Sequence, residues 1–148
     1  MSPPDELTHH QKVKATLTTI ANILNSANIP WLLGGSGSLM VYGLDITPRD
    51  LDILTTFQNF PKLISELKQF QINSDNDHQL LINGIEVEII ELTTLGTPQS
   101  VLFEGSSIPV NPLKAELGFY HHRPGKEKII QMIEDRLKAN SEADTMLL

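Results

Sequence analysis

The chain has 148 residues, 40% of them hydrophobic, a formal net charge of −7 and no cysteine. Its length and apolar content suit one domain with a real core, its acidity argues against a general nucleic-acid-binding surface, and disulfides and thiolate metal sites are excluded. No apolar run approaches the ~20 residues that span a membrane, and residues 1–6 lack a basic segment leading into an apolar one, so no membrane partner and a cytoplasmic location are expected.

Leu7, Val13, Leu17, Ile20, Ala21 and Leu24 fall on one face of a helix over residues 6–27. Asn28 and Pro30 end it, and Pro30-Trp31-Leu32-Leu33 reads as a buried strand that stops at Gly34-Gly35. Ser36 is placed to cap a short helix over 37–42, closed by Gly43. After a loop containing Pro48, residues 50–55 form a second strand. A helix follows Asn59 and Pro61, with Leu63, Ile64 and Leu67 inward. Residues 70–73 are a strand and 75–77 a polar turn. Asn83-Gly84 closes a hairpin between 79–82 and 85–90, because Asn-Gly suits a type I′ turn. Edge strands are expected within 93–110. Asn111-Pro112 opens a helix to about Tyr120, and a last amphipathic helix covers 126–139, with a frayed tail beyond. This order predicts a single α/β (α+β) domain over 1–148, with a mixed sheet flanked by helices. Its core would span about 28–112 and its C-terminal helices 112–139.

The chemistry concentrates in Leu33-Gly34-Gly35-Ser36 and, after a short spacer, Asp50-Leu51-Asp52-Ile53. Side chains alternate along a strand, so Asp50 and Asp52 would share a face. Like charges this close raise each other's pKa unless a cation stands between them. Oxygen ligands suit Mg²⁺, which pairs one or two carboxylates with substrate phosphates. The competing reading of the acids is a loop-edge pair neutralised by Arg49. A Gly-Gly-Ser by itself is an ordinary turn.

This arrangement resembles the nucleotidyltransferase superfamily typified by DNA polymerase β. That signature is a hydrophobic residue, Gly, Gly or Ser, about ten residues, then Asp-hydrophobic-Asp/Glu-hydrophobic. Within the superfamily the chain is most similar to the small lincosamide and aminoglycoside nucleotidyltransferases and related toxin-system enzymes. The resemblance implies a nucleotidyltransferase fold and attack of an acceptor hydroxyl on the α-phosphorus of a nucleoside triphosphate, with release of pyrophosphate. It implies Mg²⁺, or Mn²⁺ in its place, held by Asp50, Asp52 and a third carboxylate. Glu86 and Glu88 both fit that third place. Glu88 is favoured because it lies deeper in its strand with apolar flanks, and it could instead act as general base.

Gly34 and Gly35 would let the backbone approach phosphate without a Cβ clash, and Ser36 could donate its hydroxyl. Arg49 matches a basic residue that relatives carry just before the first acid, although Thr47 stands where a second is common. Lys114 resembles a helix lysine that contacts the triphosphate, and Arg123-Pro124-Gly125-Lys126-Glu127 resembles an arginine-proline-lysine-aspartate segment. His9-His10, His78 and His121-His122 read as surface residues, because no spaced partner supports a metal site. Trp31 and Phe119 read as core. The resemblance permits a homodimer, since no separate acceptor-binding domain is visible. The alternative is a catalytically silent nucleotide-binding or regulatory module, such as a toxin–antitoxin component. A hydrolase using the same acids is a third reading.

Overall fold

The computed structural model describes residues 7–73 and 75–146. Helix α1 (His9–Ser26) opens with a capping box, in which Thr8 and Gln11 satisfy each other's backbone amides. Strand β1 (Leu32–Gly34) is fully buried and runs straight into the short helix α2 (Gly35–Val41). Strand β2 (Leu51–Thr56) alternates strictly between buried and half-buried positions. Helix α3 (Phe60–Leu67) leads to strand β3 (Gln71–Asn73) and the hairpin of β4 (Asn76–Ile82) and β5 (Ile85–Leu92). Strands β6 (Gln99–Phe103) and β7 (Ser106–Val110) precede helices α4 (Leu113–His121) and α5 (Glu127–Met146).

The seven strands form one mixed sheet in the order β3-β4-β5-β2-β1-β7-β6. At its centre β2 runs antiparallel to β1 and parallel to β5. Leu51 and Ile53 on β2, and Ile85, Val87 and Ile89 on β5, point to one face. There they join Leu17, Ile20, Leu24, Leu63 and Leu67 from α1 and α3 in the core. The intervening residues Asp52, Glu86 and Glu88 therefore stand on the other face, as a period of two requires. No helix among the described residues is long and apolar enough to cross a membrane.

The expected mixed sheet flanked by helices is borne out, and several local expectations change. Asp50 lies outside β2, at a bend. Gly34 pairs with Asp52, and beyond Gly34 the chain turns into α2, so the β1 side of the ladder has no partner for Asp50. Ser36 does not cap α2. The helix starts at Gly35, and its N-cap Gly34 has no side chain to accept a first-turn amide. The turn expected at 75–77 is largely strand, since β4 begins at Asn76. Of the one or two edge strands expected within 93–110, β6 is at the edge and β7 is not. Its Pro109 cannot donate to a ladder, but β7 meets β1 at Val110 and meets β6 at Pro109, so the missing donor breaks no bond to β1. α5 continues through Asn140 to Met146, with no glycine or proline after Gly125 to stop it. Asn83 and Gly84 have φ of 53° and 79°, as the type I′ turn demands.

Thr55 shares the inner face of β2 with Leu51 and Ile53. Its hydroxyl is buried without a hydrogen-bond partner among the described residues. An unpaired buried hydroxyl costs about 1–3 kcal/mol. Thr55→Val, which keeps the shape, is expected to raise Tm by roughly 2–4 °C in a chain this long. A thermal melt showing no gain would mean that the hydroxyl has a partner in solution.

Candidate active site

Gly35 has a φ of +61°, a conformation that L side chains rarely adopt. A Cβ placed there would lie 2.6 Å from Asp52 Oδ2. The glycine turn is thus pressed directly against a carboxylate that lies 17 positions further along the chain. In the parallel ladder Asp52 stands beside Glu88 on β5, while Glu86 stands opposite Leu81 on β4. The charge of Glu88 reaches Asp52, as does that of Asp50. The register therefore separates the two candidate third acids, with Glu88 alongside Asp52. Asp50, Glu86, Glu88 and Gln79 line a cleft of about 130 Å³ on this face.

Burial first, and then the charges of Asp50, Glu88 and Glu116, together raise the Asp52 carboxyl from 3.8 to about 6. Arg123, at the turn between α4 and α5, opposes them. This excess of negative charge, only partly offset by Arg123 and built from hard oxygen donors, fits a divalent cation. Among the described residues no three His, Cys, Asp or Glu side chains are gathered closely enough to hold a metal by themselves. The acids offer the partial ligand set that Mg²⁺ takes when water and substrate phosphate supply the rest.

The basic residues divide differently from the sequence reading. Arg49 and Lys114 are both exposed, and neither side chain makes an ion pair or hydrogen bond among the described residues. Neither bears on the Asp52 carboxyl, whereas Arg123 does. The Arg123 guanidinium lies 5.1 Å from the centre of the Phe119 ring. Phe119 itself is 56% exposed, not core, whereas Trp31 is buried with its indole N–H donated to Asn25. The histidines also do more than decorate the surface. His9 Nε2 lies 2.9 Å from the Pro48 carbonyl, and His10 meets Thr47, so α1 clasps the loop before β2. His78 stacks on Phe60 and bridges Asp77 and Glu91.

Sequence reasoning missed Glu116. It is 3% exposed, and its Oε1 accepts the Gly35 N–H at 2.9 Å and the Asn111 amide at 3.3 Å. The Ser38 hydroxyl lies 3.3 Å away, and 2.6 Å from the Gly35 carbonyl. Burial raises the Glu116 carboxyl, and these three donors pull it back. Its charge also reaches Tyr42, which burial has first pushed to about 12. The available signal was a lone acid between Leu113, Leu117 and Tyr120 on a short helix, a pattern that an exposed acid gives equally well.

No protein-family model and no curated protein matches the chain. Solved structures do. A Thermotoga maritima protein assigned to the nucleotidyltransferases is 23% identical, with 86% of this chain and 92% of that one aligned and a TM-score of 0.61. ANT(2″)-Ia in complex with adenylyl-2″-tobramycin is 12% identical over 90% of this chain and 92% of its own, at 0.63. The lincosamide antibiotic adenylyltransferase LnuA, bound to lincomycin, is 14% identical over 82% and 96%, at 0.60. The chain has the nucleotidyltransferase fold, and the small antibiotic adenylyltransferases are among its structural neighbours.

Proposed function

We propose that this protein is a metal-dependent nucleotidyltransferase that moves a nucleoside monophosphate from a nucleoside triphosphate to a hydroxyl on a small molecule or protein. The observation that carries the reading is the seating of the Gly35 turn on Asp52, with Asp50 and Glu88 charged beside it. In this fold that is where a triphosphate and its cation would meet the protein. Asp50, Asp52 and Glu88 would hold Mg²⁺, or Mn²⁺ in its place. The ion, when bound, would neutralise triphosphate charge and acidify the acceptor hydroxyl. The acceptor oxygen bonds to the α-phosphorus, the bond from that phosphorus to the bridging oxygen breaks, and pyrophosphate leaves. The hydroxyl proton passes to a carboxylate, Glu88 in this reading. The rest is positioning and charge balance.

Gly34, Gly35 and Ser36 would form the triphosphate side of the site, with Arg49 and Lys114 as exposed cations free to swing onto phosphate. Arg123 is the cation that already faces the acids. A cleft of about 130 Å³ is smaller than the roughly 300 Å³ at which ligand pockets begin. It can take part of a ligand only, which supports an acceptor site completed by a second subunit. A nucleoside triphosphate as substrate accords with a cytoplasmic location. The silent-module alternative is not favoured by these neighbours.

Calorimetry with each of the four triphosphates and Mg²⁺ tests the reading, followed by a pyrophosphate-release assay with hydroxyl acceptors. Metal-dependent binding and pyrophosphate release are expected. Failure of all four triphosphates to bind would overturn the reading, and orthophosphate as the product would indicate hydrolysis.

A further inference from the structure

The glycine turn was expected to let its backbone approach phosphate, yet the Gly35 amide is already committed. It donates to Glu116 Oε1 at 2.9 Å, across 81 positions of sequence. The same oxygen collects the Asn111 amide, and the Ser38 hydroxyl lies within reach. No lysine or arginine pairs with Glu116 among the described residues. Burying a carboxylate with no counter-ion is costly unless hydrogen bonds repay it. Here the repayment comes chiefly from the turn itself and from Asn111, two positions before α4. Gly35 is also the residue whose missing Cβ lets Asp52 Oδ2 approach. One backbone unit thus stands between two carboxylates, held by one and pressed on the other.

We propose that Glu116 is the positioning residue of the nucleotide site: by holding the Gly35 amide it sets the turn against Asp52, so that the turn meets phosphate through Ser36 and not through the Gly35 N–H. This rests on the nucleotidyltransferase reading for its substrate but not for its contact. The role depends on reach. A Gln at position 116 keeps the length and an acceptor oxygen, while an Asp keeps the charge and falls short of Gly35 by about one methylene.

Two measurements on the full chain separate the possibilities. The first needs no nucleotide: hydrogen exchange at the Gly35 amide, followed by NMR. Protection is expected in wild type and E116Q and is expected to be lost in E116D. The second is nucleotide turnover with Mg²⁺. E116D is expected to raise KM for the triphosphate about tenfold with little change in kcat, and E116Q to raise it no more than about threefold. Equal protection of Gly35 in E116D and wild type would overturn the proposal, as would E116Q proving the worse variant in KM. A wild type that binds no triphosphate would sink the proposed function and the Ser36 part with it, while the exchange experiment would still decide whether Glu116 holds the turn.

Discussion

Asp52→Asn is expected to abolish metal-dependent triphosphate binding and, at pH 7, to raise the melting temperature. The two effects have one cause. The Asp52 carboxyl sits near 6 in the folded protein against 3.8 for the free group, because it is partly buried beside Asp50 and Glu88. Between those values the folded protein keeps a proton that the unfolded chain releases, so stability falls as pH rises through that window. Above about 6 the whole penalty is present. Discounted for the solvent that reaches a half-buried group, it amounts to about 1 kcal/mol, or roughly 2–4 °C in a chain of this size. Asparagine carries no charge to repel, so the gain should appear at pH 7 and vanish near pH 4. Thermal melts of both proteins across that range give the answer. A variant no more stable than wild type at pH 7 would mean that Asp52 already has a counter-charge in solution. Saturating Mg²⁺ should narrow the gap by stabilising wild type alone, since a ligand that binds only the folded form adds to its stability.

Gly35→Ala should damage both stability and activity. A left-handed φ costs a non-glycine residue about 1–2 kcal/mol, and the new methyl would stand 2.6 Å from Asp52 Oδ2. Either the turn or the carboxylate must move. A loss of about 2–3 kcal/mol is expected, with a fall in turnover of about a hundredfold from misplacement on the order of 1 Å. Gly84→Ala is the control. It carries the same kind of strain, φ +79°, at a hairpin tip where a Cβ meets nothing within 4 Å. It should lose about 1 kcal/mol and leave turnover untouched. Equal losses of turnover in the two variants would show that general destabilisation, not the contact with Asp52, is at work.

Local signals were legible wherever a residue's own backbone preference decided its state. The Asn83-Gly84 turn, the apolar face of α1 and the alternation along β2 and β5 follow from conformational preference and period alone. The glycine turn and the two acids were also visible along the chain, and it was their resemblance to the nucleotidyltransferase signature that implied the fold. What escaped depended on neighbours distant in sequence. Asp50 leaves the strand because β1 ends opposite Asp52, a limit set by the partner strand and not by Asp50. Phe119 is exposed although its hydropathy places it in the core, because Leu113, Glu116 and Tyr120 take the inward face of α4.

The sequence by itself determined the chemistry available: a glycine that tolerates a left-handed turn, carboxylates at strand spacing, and no thiol. Backbone sterics and side-chain type decide these, and both are local. Only the tertiary structure decided which groups work together. The parallel register of β2 with β5 set Glu88, and not Glu86, beside Asp52. The packing of α4 against the β1–α2 junction turned an anonymous helix acid, Glu116, into the anchor of the turn. It also left Lys114 outside while the chain after α4 brought Arg123 within electrostatic reach of the acids. Hydrogen bonds and Coulomb interactions depend on distance in space, and no spacing along the chain encodes the 81 positions that separate Gly35 from its partner.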